Sequence, residues 1–142
     1  RAAGADIPML IETIYKQRTF AATQLIGEAA ARIELSDDDK IAFTYVLQTD
    51  FDALQALPED TDELINYARE IIGVEVAIFA KEQKENVYKV SLRSKQYVDV
   101  SALAAEFDGG GHKRAAGCTI EGSLAQVKQK LIDSAIAHMN MA

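Results

Sequence analysis

Several residue types are scarce in this chain: one cysteine, two prolines, two histidines and no tryptophan in 142 residues. With Cys118 alone, no internal disulfide framework can form, which fits a reducing cytoplasm. So few prolines, beside 49% apolar residues, exclude a disordered or fibrous chain and suit one compact core. No apolar run approaches the ~20 residues that a bilayer span needs, and no basic start followed by an apolar stretch marks a signal peptide. A first residue of Arg1 rather than methionine reads as an excised or processed piece of a longer protein. Histidine scarcity excludes more. Only His112 and His138 are present, with no Asp-His-His triplet and no Asp/His cluster at ligand-like spacing. A hydrolytic metal centre is therefore not expected within the chain, and no cofactor is assigned to it. Asp37-Asp38-Asp39 reads as a solvated turn rather than a calcium site, and His138 as a structural or solvated residue near a helix end.

Cations are the minority charge, at 15 against 22 acidic residues and a net charge of −7. That excludes the broad basic stripe of a duplex binder. The sign is not uniform, however. Residues 89–114 hold Lys89, Arg93, Lys95, Lys113 and Arg114 against Asp99, Glu106 and Asp108, a local net charge of +2. A small basic island in an acidic chain suits a short anionic ligand gripped at one place.

At the end of that island lies Asp108-Gly109-Gly110-Gly111-His112-Lys113-Arg114-Ala115-Ala116-Gly117. Three glycines free the backbone for dihedrals that a side chain forbids and let a phosphate approach amide N–H groups. His112, Lys113 and Arg114 follow, all able to donate to phosphate oxygens. Ala115, Ala116 and Gly117 are small enough for a base or ribose to come close. A Gly-rich run alone is more often a plain turn. The stretch before it strengthens the functional reading. Asn86 to Ser94 alternates as a strand, with Tyr88, Val90 and Leu92 on one face and Lys89, Ser91 and Arg93 on the other.

The rest of the pattern is α/β. Ile7, Leu10, Ile11, Ile14 and Tyr15 share a helical face; Thr19 caps a second helix carrying Leu25, Ile26, Ala29 and Ile33. The polar run from Ser36 to Lys40 is a turn, and Ile41 to Gln48 a central strand. A third helix starts at Asp60 and Glu63, buries Leu64, Ile65, Ala68 and Ile71, and stops at Gly73. Val74 to Lys81 forms a hairpin with the Arg93 strand. Ser101 caps a short helix reaching Phe107, and Cys118 to Ile120 is a short strand. Ser123 with Gln126 opens the last helix, whose Leu124, Val127, Leu131, Ala135 and Met139 line one stripe. The expectation is a mixed sheet of four or five strands flanked by helices and preceded by a helical connector.

Ser91-Leu92-Arg93-Ser94-Lys95, Val98-Asp99-Val100-Ser101, Gly109-Gly110-Gly111-His112 and Ala115-Ala116-Gly117 resemble the C-terminal half of DHH-family phosphoesterases. The branch most resembled is the bifunctional oligoribonuclease and adenosine-3′,5′-bisphosphate phosphatase one. The likeness is dense from Gly73 onward and fainter before it. Many members carry a fourth glycine where this chain has Asp108, a residue that tolerates positive φ; Asp108 is expected to cap or face solvent.

The resemblance implies that residues 1–38 are a connector to a missing N-terminal DHH domain, and that residues 39–142 are the substrate-binding domain. The N-terminal domain would hold Mn²⁺ or Mg²⁺. Ser91, Arg93 and Ser94 would take a terminal phosphate or sugar-phosphate, and Gly109, Gly110 and Gly111 would offer amides. His112 would reach the scissile phosphate as the catalytic residue here, and Ala115 and Ala116 would allow close approach. Partners would be short single-stranded RNA or a mononucleotide bisphosphate and the DHH domain, with no membrane, in the cytoplasm, and with room for a homodimer at full length. Three other readings fit the same features less well: a cyclic-dinucleotide phosphodiesterase, a single-strand exonuclease of the superfamily, and a non-catalytic RNA-binding module.

Overall fold

The computed structural model describes residues 17–142. The predicted first helix, with Ile7 to Tyr15, lies outside them. Helix α1 (Phe20–Ala31) begins where Thr19 was placed as its cap: the Ala22 N–H donates to Thr19 Oγ1 at 3.0 Å. Its buried residues Ala22, Leu25, Ile26 and Ala29 recur at helical spacing. After it come β1 (Glu34–Leu35), β2 (Ile41–Val46), α2 (Gln48–Leu54), a 3₁₀ turn (Pro58–Thr61) and α3 (Leu64–Arg69). Next are β3 (Val76–Lys84), β4 (Val87–Ser94), α4 (Val100–Ala105), β5 (Gly110–His112), β6 (Ala115–Glu121) and α5 (Leu124–Met141).

The strands make one mixed sheet in the order β1-β2-β3-β4-β6-β5, parallel only between β2 and β3. The two strands beyond expectation are β1 and β5. The first has only two residues and the second is mostly glycine, so neither shows side-chain alternation. Helix α2 was also unforeseen: the strand stops at Val46, and Gln48 opens a helix rather than ending a strand. Asp50 accepts the Leu47 N–H at 2.7 Å, and Arg32 at the end of α1 forks onto both of its carboxylate oxygens at 2.7 and 2.8 Å. That guanidinium holds the Asp50 carboxyl below the usual carboxylate range.

Two apolar layers sandwich the sheet. On one face Ile41, Phe43, Val76, Ile78, Val90, Leu92, Cys118 and Ile120 pack against Leu103 of α4 and Val127, Leu131 and Ala135 of α5. On the other, Ala42, Val46, Ala77 and Phe79 pack against Leu25 and Ala29 of α1, Phe51 of α2 and Leu64, Ile65 and Ala68 of α3. Sheet residues in this second layer come from β2 and β3 alone. On the same face α3 reaches over β4, but no residue of β4 or β6 joins that apolar layer, and that asymmetry positions the candidate site.

The last helix opens as expected, with the Gln126 N–H donating to Ser123 Oγ and the Ser123 N–H to Gln126 Oε1. The cap of α4 differs. Asp99, not Ser101, accepts the N–H groups of Ser101 and Ala102, and the Ser101 hydroxyl donates to the same oxygen. A carboxylate two residues earlier outcompetes the hydroxyl because both lone-pair sites face the open helix end.

Candidate functional site

In an antiparallel ladder, directly opposed residues project to the same face. Arg93 opposes Ala115, which opposes His112, so these three form one rung across β4, β6 and β5. The next rung is Ser91, Gly117 and Gly110; the one after is Lys89 and Thr119. All stand on the α1–α3 side of the sheet, beyond its apolar layer, with α3 and the 3₁₀ turn over Lys89, Ser91 and Arg93. Lys89, His112 and Thr119 are exposed there, while Ser91, Arg93, Ala115 and Gly117 are half-buried.

Arg93 lines a cavity of about 240 Å³ with Ser91, Lys89, Lys81 and Thr61. One guanidinium nitrogen donates to the Leu92 carbonyl at 2.9 Å, which leaves the rest of the fork directed elsewhere. Burial, and Arg69 as a like charge nearby, pull the Arg93 guanidinium below its ordinary range. A desolvated cation beside another cation is stabilised by an incoming anion, so this half of the sheet favours negative ligands.

The glycines form strand β5 on the sheet edge rather than the loop that their composition suggests. Of the three, only Gly111 has a positive φ, +150°, and Asp108 just before them sits at +61° with its side chain exposed. The reason for each glycine differs. A Cβ on Gly109 would fall 2.2 Å from the Gly117 carbonyl oxygen and 2.6 Å from Cys118 Cβ. A Cβ on Gly111 would fall 2.6 Å from both the Ala115 oxygen and Ala116 Cα. A Cβ on Gly110 would meet nothing within 4 Å. Gly109 and Gly111 are therefore required by packing, whereas Gly110 faces open space beside Ser91 and Arg93.

Ser94 and Ala116 separate from the predicted set. Alternation places both on the α4–α5 face, where Ser94 is 3% and Ala116 7% exposed. The Ser94 hydroxyl donates to the Val98 carbonyl at 2.6 Å and is spent on the backbone. Ala116 packs in the core. Lys113 and Arg114 make the turn from β5 to β6. The Arg114 guanidinium donates to the carbonyls of Val98 and Gln96 at 2.6 and 2.5 Å, so it braces a loop instead of facing a ligand. The buried Glu75 holds that loop from the other side, accepting the N–H groups of Gln96, Tyr97 and Val98 at 2.9–3.1 Å. The Val100 N–H closes onto the Lys113 carbonyl at 2.9 Å and the Ser94 N–H onto Arg114 at 3.1 Å.

Sequence reasoning missed Lys81, Thr61 and Arg69, which come from elements distant in the chain. The signal for Lys81 was present: it lies in the same alternation register as Ala77 and Phe79. His138 pairs with Glu106 across α4 and α5, and Glu106 also accepts the Ser134 hydroxyl at 2.8 Å, which fits the structural role expected of that histidine. Among the described residues no three His, Cys, Asp or Glu side chains gather as a metal ion would need. These residues therefore do not fit a metal centre. No helix of the described residues is long and apolar enough to cross a membrane.

The chain is thus an α/β domain that gathers cations, glycine and histidine on one part of one sheet face. The chain belongs to the DHHA1 domain family, whose model matches residues 38–141. A curated relative is the bifunctional oligoribonuclease and PAP phosphatase NrnA of Thermus thermophilus, 35% identical over 77 residues. That match covers 54% of this chain and 24% of the relative, so the chain spans about a quarter of that protein's length. Among solved structures, an exopolyphosphatase-related protein from Bacteroides fragilis superposes with a TM-score of 0.87 at 20% identity. It covers 99% of this chain, which spans 41% of that one. The pGpG-specific phosphodiesterase PggH from Vibrio cholerae has the same fold, with a TM-score of 0.56 at 15% identity over 82% of this chain and 40% of its own.

Proposed function

We propose that this chain is the substrate-binding part of a metal-dependent phosphoesterase that hydrolyses short oligoribonucleotides and adenosine 3′,5′-bisphosphate. One observation carries the reading: Arg93, Ala115 and His112 share a rung, flanked by Ser91, Gly117 and Gly110, on one sheet face beyond its apolar layer. The similarity to an oligoribonuclease and PAP phosphatase supports the substrate class.

In this reading Arg93 takes a phosphate remote from the bond being cut, with Ser91 as a further donor. Gly110 leaves room for the ligand against the edge strand, and Ala115 lets a ribose or base lie flat. His112, exposed at the rim, donates toward the scissile phosphate. The Mn²⁺ or Mg²⁺ that would activate water belongs to an N-terminal DHH domain, and no step is assigned to it here. A cytoplasmic setting and a homodimer of the full-length protein belong to the same proposal.

The test uses the chain and the longer protein that would carry it. The chain with Mn²⁺ should bind adenosine 3′,5′-bisphosphate yet turn none over. In the longer protein, Arg93→Ala should raise KM about ten- to a hundredfold, as loss of a charge-assisted contact of ~1.5–3 kcal/mol implies, with a smaller fall in kcat. His112→Ala should lower kcat about a hundredfold with KM little changed. An unchanged KM for Arg93→Ala, or turnover by the chain alone, would overturn the assignment.

A further inference from the structure

The rung beyond Ser91 carries an unusual arrangement. Lys81 on β3 and Lys89 on β4 are direct cross-strand partners. Like charges placed opposite one another cost stability. Neither lysine has a carboxylate within ion-pair distance among the described residues. Lys81 is half-buried, and its ammonium lies 3.5 Å from the Pro58 carbonyl and 3.4 Å from Thr61 Oγ1. Both contacts are long, so its donors are not consumed. Desolvation, with Lys89 as a second cause, pulls its pKa down from the ordinary lysine value against the smaller opposing pull of the Asp62 and Glu59 carboxylates. The two lysines and Thr61 open into the same cavity of about 240 Å³ as Ser91 and Arg93.

We propose that this end of the cavity is a second anion subsite, in which Lys81, Lys89 and Thr61 hold a further phosphate of the ligand whose first phosphate meets Arg93. It rests on the proposed function and adds the specificity determinant that the glycine and histidine residues do not supply. Lys89 and Arg93 are four residues apart on one strand face, about 13 Å between Cα atoms. Both line the cavity, with Ser91 between them on the strand. That spacing suits a ligand with separated phosphates over one with a single phosphate. Asp62 lines the same cavity and counts against an anion, so it limits affinity rather than creating it.

The fitting chemistry is a second phosphate group: in a short oligonucleotide a phosphodiester other than the one His112 faces, and in a nucleoside bisphosphate the second phosphate of an unproductive mode that places neither at His112. The experiment titrates the chain by NMR with adenosine 5′-monophosphate, adenosine 3′,5′-bisphosphate and 5′-phosphorylated diadenylate. Lys89→Gln and Lys81→Met together should weaken at least one of the two-phosphate ligands about tenfold and the monophosphate less than twofold. The ligand so weakened identifies the source of the phosphate. Asp62→Asn should tighten the same ligand severalfold. Lys89→Gln alone should raise the melting temperature by up to about 3 °C, because it relieves the cross-strand repulsion. Undiminished affinity of the double lysine variant for both two-phosphate ligands overturns the subsite, while a loss with Arg93→Ala would still uphold the first reading. A melting temperature lowered by Lys89→Gln also overturns it, since the lysines would then be serving the fold. If Arg93→Ala leaves all three affinities intact, the proposed function fails instead.

Discussion

The three consecutive glycines should respond to alanine in two opposite ways, and the difference separates packing from ligand binding. At Gly109 the new methyl would stand 2.2 Å from a backbone oxygen and 2.6 Å from Cys118 Cβ, more than 1 Å inside ordinary contact. Backbone cannot step aside as a flexible side chain can. The expected cost is at the upper end of the overpacking range, about 3 kcal/mol. For a domain of this size that lowers the melting temperature by roughly 6–12 °C. Gly111 should be at least as sensitive, because its φ of +150° adds strain to a 2.6 Å clash with Ala116 Cα.

Gly110→Ala should do the opposite. Its φ is not in the left-handed region and its Cβ meets nothing, so alanine restricts the unfolded chain at no native cost and adds about 0.4–1 kcal/mol. Yet the methyl would project into the open space on the rung of Gly117 and Ser91 where the proposed ligand lies, so affinity for adenosine 3′,5′-bisphosphate should drop at least tenfold. Circular dichroism melts and NMR titration of the three variants measure both effects. A Gly110→Ala protein that binds normally, or that melts several degrees low, would refute the reasoning. In the first case the space is unused; in the second Gly110 is a structural glycine like its neighbours.

Three further outcomes follow from the core and the helices. Ser94→Ala should cost about 0.5–1.5 kcal/mol, one hydrogen bond, because Arg114 still donates to the Val98 carbonyl, with ligand affinity in the titration unchanged. Glu106 accepts from His138 and Ser134, and those hydrogen bonds hold its pKa below the usual glutamate value. A depressed folded-state value means that its stabilisation is present above the unfolded pKa and is lost as pH falls through the folded one. The melting temperature of the native chain should therefore fall more steeply below about pH 4.5 than that of Glu106→Gln. Burial pushes the Cys118 thiol up to about 11, so a chromogenic disulfide reagent at pH 8 should label it only at the rate of unfolding.

The architecture was largely legible because strong alternation and clear caps coincide with it. Thr19, Ser123 and Gln126 mark helix starts that the structure keeps, and Leu64, Ile65 and Ala68 face inward as their spacing demands. Alternation along β4 also placed Ser91 and Arg93 on one face. It should have excluded Ser94 from that group, because a residue next to Arg93 points the other way. The strand character of Gly110 to His112 was not legible, since glycine carries no side chain to alternate and its pairing is set by Ala115 to Gly117. The meeting of Lys81 with Lys89 was hidden for another reason. It depends on hairpin register, which shifts between Glu82 and Lys84, and no local pattern reports such a shift.

The turn from His112 to Ala115 is tied down at every residue between them. Lys113 and Arg114 give their carbonyls to Val100 and Ser94, and the Arg114 side chain grips the loop that Glu75 holds from beneath. A hairpin restrained in this way has no hinge of its own. It cannot fold down over a bound nucleotide as a flap would. Under the proposed function, any approach of His112 to a reacting phosphate would then come from the whole sheet travelling as one block, like a jaw rather than a finger. The rate of that closure would be set outside the hairpin, and stiffening or loosening the glycine strand would leave it untouched.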